Sequence, residues 1–434
     1  MIQIPLFLAL TALAAPFTVT DYGAVGDGAA DDTAAFQAAM DACFAAGGGV
    51  VEVPVGKYRM EGQLAVPPDV TLEGPWRAPM TVGAYHADDD PLSDPLLRGS
   101  VIMPVGGADE PKGPPFITLS RNSTLRGLVI FYPDQTRTNP PVAYPWTVAS
   151  RDDNCSIIDV LMVNPYQAVD FGTSVSGRHY IRGLYADALY RGICVDHCLD
   201  VGRIENVHLW PFWEPDGNSP VREFAREHGE GFVFGRTDWE YVTNCFAISY
   251  GVGFRFRDGI GSGPYAGPGN VLLTQSGGDN CAVAVQVDAT QGHAGVSFSN
   301  CQIFGDIIVA PTNIGMVRFD ACGIFGSVDG GRGVSAARIA GRGRVSFSNC
   351  HFYSIHPDNQ ASPVIQVDEG RLSVIGCVFI NHEGLVSNPD HITLEPGVIS
   401  AHIVANEFYD EMRIDNRAEG QVEIGLNLDR TALQ

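Results

Sequence analysis

Short hydrophobic runs alternate with polar residues along most of the chain, and after residue 120 the runs recur at a nearly constant spacing. Segments such as TNCFAIS at 243–249, SNCQIFG at 299–305 and SNCHFYS at 348–354 are variants of one pattern. Aligned on the Cys position, the variants give a series of anchors about 28 residues apart on average. The anchors are Leu128, Val160, Leu184, Val207, Cys245, Val271, Cys301, Cys322, Cys350, Cys377 and Asn406.

A repeat of this length is typical of a solenoid, in which each unit packs only against its neighbours. Each unit holds short β-rich runs separated by Gly, Asn, Asp and Pro, with no helical pattern between them. The repeat therefore predicts an all-β chain, a parallel β-helix of about ten or more coils in one domain over residues 16–434. The five Cys anchors are expected to stack as buried thiols, because a zinc site would need paired Cys or His neighbours.

The segment 17–58 is predicted to cap the open end of this solenoid. It has the pattern of a strand, a Gly-rich turn, a helix and a strand, with Asp32 as the helix N-cap and Gly47 to Gly49 as its end. An apolar stripe at helical spacing needs a partner, and the core of the first coil would provide one. The stripe consists of Phe36, Ala39, Met40, Cys43 and Phe44.

The motifs YGAVGDG, DDTAAFQAA and GGGVVEVPVGKY lie within this cap and cover about 40 residues. They resemble the opening of proteins in the pectate lyase-like right-handed parallel β-helix superfamily. That superfamily includes polygalacturonase-like glycosidases, polysaccharide lyases and phage tailspikes. The resemblance implies a right-handed β-helix with an N-terminal capping α-helix and a carbohydrate-active protein, which we place in the polygalacturonase-like, glycoside hydrolase-related branch. It does not choose the chemistry, because the motifs belong to a structural cap.

Polygalacturonase-like members carry N-T-D, D-D, G-H-G and R-I-K motifs in that order, and this chain lacks the series. Asp152-Asp153 comes too early, and Gly292-His293-Ala294 matches G-H-G only in part. The resemblance also implies that a lyase member would use Asp-bound calcium with an Arg or Lys base. We therefore expect no cofactor and no metal for a hydrolase, and calcium if the protein is a lyase.

The net charge of −23 limits the classes of molecule that the protein is expected to bind. An acidic surface repels nucleic acids and anionic lipids, so neither DNA, RNA nor a membrane is expected as a partner. The same charge disfavours a polyanionic sugar more weakly. Nearly all cations are Arg, the exceptions being Lys57 and Lys112.

Ile4 to Ala15 is an apolar run that is too short to span a bilayer, which takes about 20 residues. Ala12-Leu13-Ala14 provides a small-residue cleavage site. We therefore expect residues 1–15 to be a signal peptide and the protein to be secreted or periplasmic.

Two long excursions interrupt the repeat, at 75–146 and 208–243, and both are predicted to line a cleft. The second holds three of the five Trp residues, whose rings suit sugar stacking. In the first, Tyr132, Tyr144 and Trp146 are expected to form a wall beside the cleft. The triple Asp at 88–90 is interpreted as a solvated turn rather than a calcium site.

Acidic residues collect where successive strands enter a turn. Equivalent Cα atoms lie about 4.8 Å apart on neighbouring coils and about 9.6 Å apart on alternate coils. These values bracket the carboxylate spacings of retaining and inverting glycosidases. The predicted function is thus hydrolysis of a plant or algal polysaccharide or oligosaccharide by paired carboxylates. Two alternatives stay open: β-elimination on a uronate polymer by a lyase, and a non-catalytic glycan-binding or tailspike-like role.

The predicted site comprises two groups of residues. A ladder of turn-capping Asp residues is the alternative interpretation of the acidic positions, and Glu240 also fits a buried, hydrogen-bonded residue. The predicted catalytic residues are Asp196, Asp238, Glu230, Glu240, Asp170 and His197. The predicted substrate-binding residues are Arg236, Trp210, Trp213, Trp239, Tyr241 and Arg257.

Overall fold

The computed structural model describes residues 17–80, 97–260, 265–326, 335–354, 362–381, 390–409 and 411–429. The predicted signal peptide at 1–15 and the triple Asp at 88–90 lie outside these ranges. Within them, no helix is both long enough and apolar enough to cross a membrane.

The chain winds into a right-handed parallel β-helix, and each coil passes through three sheets in the same order. All sheet pairings are parallel, and a strand pairs with the strand one coil earlier and one coil later. The fold predicted from the repeat is confirmed. The first sheet contains β1 Phe17–Thr18, β3 Gly49–Glu52, β6 Val70–Glu73, β9 Thr124–Arg126, β16 Cys198–Glu205, β19 Thr237–Thr243, β22 Val271–Thr274, β25 Val296–Ser299, β28 Met316–Asp320, β31 Arg344–Ser348 and β38 Gln421–Gly425.

The second and third sheets complete each coil, and some long strands bend through a corner to serve two sheets. β12 Ser156–Met162 and β14 Tyr180–Ala186 join the first sheet to the second. β33 Ile365–Ile375 and β35 Ile392–Val404 join the third sheet to the first. The second sheet also contains β2 Asp27–Asp31, β4 Gly56–Met60, β7 Ser100–Pro104, β10 Val129–Ile130, β17 His208–Leu209, β20 Phe246–Ile248, β23 Gly277–Asp279, β26 Gln302–Phe304, β29 Gly323–Phe325, β32 His351–Ser354, β34 Val378–Asn381, β36 Glu407–Phe408 and β39 Leu428–Asp429.

The third sheet is the one that positions the site described below. Its side chains alternate between the core and the outer surface. Its remaining strands are β5 Leu64–Val66, β8 Ile117–Leu119, β11 Trp146–Ser150, β13 Gln167–Phe171, β15 Arg191–Val195, β18 Glu230–Phe234, β21 Val252–Phe256, β24 Val283–Val287, β27 Asp306–Val309, β30 Ala337–Ile339 and β37 Ile414–Asn416.

The corner between the first and second sheets explains the repeated Asn-Cys pattern. At this corner Asn244, Asn300 and Asn349 adopt positive φ, a conformation that Asn tolerates better than most residues. The next residue on each coil points into the core. The predicted anchors share this position in the strand register, with one exception. Val271 is out of register: it lies in the first sheet, and the anchor of its coil is Ser276.

A single apolar core runs through the coils. Phe298, Phe319 and Phe347 stack on successive coils with ring centroids 4.9 and 5.0 Å apart. The predicted thiol ladder is confirmed, because all five Cys anchors are buried and unbridged. Ser276 replaces a thiol in this ladder, and its hydroxyl accepts the amide of Cys245 and donates to the Thr274 carbonyl.

The N-terminal cap contains a short 3-10 helix, Val19–Tyr22, and the helix α1, Thr33–Ala45. The stripe prediction holds for Phe36, Ala39, Met40 and Cys43, which are buried. Phe44 is the exception: its ring is about half exposed, since it lies at the edge of the stripe. Asp32 precedes α1 as predicted, but its carboxylate accepts the amides of Val25 and Gly26 instead of an amide of the helix.

The thiol ladder leads to a stability prediction. We expect Cys322→Asp to lower the free energy of unfolding by about 3–5 kcal/mol, because an unpaired carboxylate would enter the core. Cys322→Ser should lose less, since a hydroxyl can replace the thiol as donor to the Asp320 carbonyl. Urea denaturation of the three proteins measures the difference. Equal stability of the Asp and Ser variants would contradict a buried ladder.

Candidate functional site

A groove of about 610 Å³ lies on the outer surface of the third sheet. Its floor is formed by side chains of the consecutive strands β11, β13 and β15, namely Trp146, Gln167, Asp170 and Arg191. The segment 111–115 forms a wall, which is attached to the floor because Gln167 Nε2 donates to the Pro111 carbonyl at 3.0 Å. We call this feature the third-sheet groove.

The third-sheet groove is cationic although the protein is strongly acidic. Lys112, Arg151 and Arg191 line it, and Asp170 is the one acidic residue among its lining side chains in the described ranges. Charges that converge on a concave surface focus their field there, so the local potential need not follow the net charge. The groove is therefore suited to an anionic ligand.

Asp170 lies at the floor of the groove and is almost fully buried. Its Oδ1 accepts the amides of Gly172 and Thr173, both at 3.0 Å, which fixes the carboxyl orientation. Oδ2 has no hydrogen bond among the described residues. A fixed carboxyl with one free oxygen is positioned to contact a ligand in the groove.

Two tyrosines stand beside Asp170 and Arg191. Tyr166 and Tyr190 stack with ring centroids 5.1 Å apart, and they precede equivalent strand positions of neighbouring coils. Arg191 Nη2 donates to the Tyr190 hydroxyl oxygen at 3.2 Å, so the phenolic hydrogen is free to donate elsewhere. Burial raises the pKa of Tyr166.

Glu230 holds the cations of the third sheet in place. Its carboxylate contacts Arg255 Nη1 at 2.5 Å and Arg191 Nε at 3.4 Å. Arg255 also pairs with Asp288 at 2.8 Å. Two guanidinium groups thus engage the Glu230 carboxylate, which is mostly buried, and the pairing orients Arg191 toward the groove.

The helix α2, Pro220–His228, supports the two tyrosines from outside. Phe224 packs 6.1 Å from the rings of both Tyr166 and Tyr190. The helix is attached by Arg222, which is buried and whose guanidinium contacts Asp187 Oδ1 at 2.9 Å. Asp187 Oδ2 accepts the Trp213 amide at 3.1 Å, so one carboxylate attaches two parts of the insertion, the backbone at Trp213 and the helix α2.

Asp196 accepts hydrogen bonds from the backbone at the corner between the third and first sheets. Its Oδ1 accepts the amides of His197 and Arg236, and Oδ2 accepts the amide of Ile260. The carboxylate therefore joins the turns of three successive coils, as in the alternative turn-capping interpretation. Asp170 does not share this position, because Phe171 pairs with Val195 and the Asp196 position on that coil is Gly172.

The other predicted residues are distributed over several surfaces. Asp238, Trp239 and Tyr241 lie on the exposed side of the first sheet. Trp210 and Trp213 belong to a second apolar cluster outside the second sheet, where Arg137 lies 4.3 Å above the Trp213 ring. The corner between the third and first sheets holds His197 at positive φ, Arg236 and Arg257.

Glu240 is fully buried in the core, as the buried alternative predicted. Its Oε1 lies 3.0 Å from Nε2 of His179, whose Nδ1 lies 2.8 Å from the Ser176 carbonyl. Burial alone would lower the pKa of His179, but the Glu240 carboxylate outweighs it, so the pKa lies well above its ordinary value. This pair does not reach the third-sheet groove.

Of the predicted catalytic residues, Asp170 lines the groove and Glu230 orients a lining side chain. Trp146 lines it as expected, whereas Tyr132 and Tyr144 are buried in the core. Five lining residues were not predicted from the sequence as part of the site, namely Lys112, Arg151, Tyr166, Tyr190 and Arg191. One signal could have found the tyrosines: the segments NPYQ and ALYR place a Tyr immediately before strand positions that pair on neighbouring coils.

Comparisons with known proteins agree with this fold. A family model described as Rhamnogalacturonase A/epimerase, pectate lyase-like, matches residues 17–163. Mannuronan C5-epimerase AlgE3 of Azotobacter vinelandii is 65% identical over 46 residues, which is 11% of this chain and 2% of that protein. Alginate lyase 7 of the same organism is 56% identical over 46 residues, 11% of this chain and 5% of that protein. The match thus spans a small part of each relative.

Similarity to a solved structure extends over nearly the whole chain. The A-module of mannuronan C5-epimerase AlgE6 from Azotobacter vinelandii superposes with a TM-score of 0.57 at 16% identity, covering 95% of this chain and 99% of the module. At that identity the similarity shows the fold alone.

The attachment of α2 gives a prediction about stability. We expect Asp187→Asn to lower the free energy of unfolding by about 3–5 kcal/mol, because the buried Arg222 loses its counter-charge. Asp368→Asn is the matched control, since Asp368 pairs with Arg338 at a largely exposed position and should change stability by less than about 1 kcal/mol. Chemical denaturation gives both values. Equal effects of the two substitutions would contradict the role of Asp187.

Proposed function

We propose that this chain, a right-handed parallel β-helix of the pectate lyase-like superfamily, is a carbohydrate-active enzyme that removes the C5 proton of a uronate residue in a polysaccharide. The observation that supports the proposal is the cationic third-sheet groove with two tyrosines and one fixed carboxyl at its floor. The relatives named mannuronan C5-epimerase and alginate lyase are consistent with this chemistry.

Binding is assigned to the cations. A uronate carries a carboxylate on C5, and Lys112, Arg151 and Arg191 provide charge-assisted donors for such groups along the groove. Arginine can bind a carboxylate through two parallel hydrogen bonds, which fixes its plane as well as its position. Neutralising that carboxylate also stabilises the negative charge that develops when the adjacent C5–H bond breaks.

Proton transfer is assigned to the tyrosines. Tyr190 would take the C5 proton on its phenolate oxygen, to which the Arg191 guanidinium donates a hydrogen bond, and the phenol so formed would then donate a proton. Tyr166 is stacked on it and is the second candidate. Asp170 would contact the sugar through Oδ2 and position the ring against the tyrosines.

Removal of the C5 proton leads to two outcomes. In a lyase, the electron pair left on C5 forms a C4–C5 double bond as the O4 leaving group departs with a proton. In an epimerase, C5 takes a proton on the opposite face and no bond of the chain is broken. Both reactions use the same groove and the same first step.

Glycoside hydrolysis, the function predicted from the sequence, is the second candidate and needs two carboxyl groups about 5–9.5 Å apart. Asp170 is the one acidic side chain that lines the groove among the described residues, and Glu230 lies two coils and three residues away from it in the strand register. That offset separates their Cα atoms by on the order of 14 Å. Glu230 is also paired with two arginines, so the arrangement favours proton abstraction.

The reaction is tested by incubating the purified full chain with mannuronan, polygalacturonate and a neutral glucan in deuterated water. We expect turnover of a uronate polymer, with either ultraviolet-absorbing unsaturated ends or deuterium at C5 by NMR. Calcium and a chelator are compared in parallel. New reducing ends without unsaturation or C5 deuterium would establish hydrolysis and contradict the proposal, as would the absence of turnover on every glycan.

The assigned residues give a mutational prediction. Tyr190→Phe should lower kcat by about 10²–10⁴-fold, the usual contribution of a general acid or base. Arg151→Ala should mainly raise KM, because it removes charge that binds substrate and transition state alike.

Two matched controls accompany these variants. Tyr22→Phe changes an exposed tyrosine of the cap, and Arg338→Ala removes an arginine from the third sheet several coils from the groove. Neither should change kcat or KM. Full activity of Tyr190→Phe together with Arg151→Ala would exclude the groove as the site.

A further inference from the structure

Three buried side chains in the core form a cluster that the proposed function does not use. One nitrogen of His179, the Cys198 thiol and one carboxylate oxygen of Glu240 all lie within 4.8 Å of one another. All three residues are buried in the corner where coils pass from the third sheet to the first. The cluster is thus separate from the third-sheet groove on the outer surface.

The position of the cluster in the repeat is unusual. His179, Gly202 and Glu240 occupy the same inward-facing register on successive coils. Later coils place Val271 and Val296 at that register, and both are fully buried. Apolar side chains therefore satisfy this position elsewhere in the same solenoid. Because a buried ion pair seldom stabilises more than apolar residues of similar volume, the ionisable pair needs another explanation.

The coil between those of His179 and Glu240 carries Gly202, which leaves space between the two side chains, and Cys198, which is the third potential ligand. A Cβ at Gly202 would lie 2.2 Å from Glu240 Oε2 and 2.4 Å from His179 Cε1, so only glycine fits between the two side chains. The strand β16 has an irregular register between Cys198 and Val201. This irregularity accompanies a thiol that is buried beside His179. Three consecutive coils thus each contribute one potential ligand.

The hydrogen bonds place Nε2 of His179 at the cluster and leave one Glu240 oxygen without a partner among the described residues. His179 Nδ1 lies 2.8 Å from the Ser176 carbonyl, so Nδ1 carries the proton and Nε2 faces the cluster. A backbone partner on the distal nitrogen is the usual arrangement for a metal-binding histidine. Glu240 Oε2 is fully buried and has no hydrogen-bond partner among the described residues.

We propose that His179, Cys198 and Glu240 bind one thiophilic divalent cation, Zn²⁺, which joins three successive coils of the solenoid. Imidazole nitrogen, thiolate and carboxylate oxygen are all zinc ligands, and structural sites use four donor atoms. The free Oε2 is available as the fourth. A thiolate and a carboxylate together carry two negative charges, which the cation neutralises inside the core.

Binding requires the loss of protons. The Cys198 thiol donates to the Asp200 carbonyl at 2.8 Å, and this proton must leave as the sulfur binds the cation. The proton that His179 Nε2 donates to Glu240 Oε1 must leave as well. Zinc uptake by the refolding chain should therefore release protons.

The metal content of the purified full chain tests this proposal independently of any enzymatic activity. The chain is refolded with excess Zn²⁺, passed through a desalting column and measured by inductively coupled plasma mass spectrometry. We expect about one zinc per chain in the natural sequence and none in Cys198→Ser. Cys245→Ser, which alters a buried thiol outside the cluster, should keep the metal.

A second measurement does not depend on whether Cys198→Ser folds. The natural chain refolded with Co²⁺ should show the absorption of a thiolate–cobalt bond, and Cys245→Ser should show it as well. A natural chain that folds in excess zinc but holds no more metal than Cys198→Ser, and shows no such cobalt band, would overturn the proposal. That result would assign the cluster to an imidazolium–carboxylate pair.

Discussion

The hydrogen-bonded register of stacked coils is the constraint on which the rest of the structure depends. Because every strand pairs in parallel with its equivalents one coil away, a residue type that recurs in sequence becomes a row in space, spaced about 4.8 Å apart. The phenylalanine stacks and the buried thiols are such rows in the core. Strand pairing also forms the third-sheet groove on the outer surface, where Gln167 and Arg191 lie side by side although 24 residues separate them in sequence.

This constraint explains what the sequence could reveal. The Asn-Cys corner recurs with recognisable chemistry, so the coils and their core position were predictable from residues such as Cys301, Cys322 and Cys350. Val271 was misplaced by five residues because its coil carries Ser276, a polar residue that satisfies its own hydrogen bonds in the ladder. The cap helix was predictable because its apolar spacing and its Gly termination are local, whereas the Asp32 carboxylate binds the amides of Val25 and Gly26 and does not cap the helix.

The site was less predictable because coil length varies around it. Asp170 and Asp196 appear equivalent when turns are aligned by their acidic residues, but the strand pairing shifts Asp170 by two positions onto the sheet. That shift separates a groove residue from a turn cap. Lys112, Arg151 and Arg191 are dispersed in sequence and meet only through folding, so their convergence has no local signal.

The local charge of the groove also depends on how the stacked coils place side chains on the surface. A net charge of −23 weakly disfavours an anionic sugar when the chain is treated as a uniform surface. Many of the acidic groups are paired or engaged with backbone amides, as Asp196 and Glu230 are, whereas three cations converge on one concave surface. The local field of the groove therefore decides which ligand binds there.

The position of a bound ligand tests this account most directly. A crystal structure of the full chain with a short oligouronate should show sugar density in the third-sheet groove, with a carboxylate contacting Arg151 or Arg191 and a ring beside Tyr190. Sugar bound instead on the first sheet over Trp239 and Tyr241, with the groove empty at saturating ligand, would contradict it.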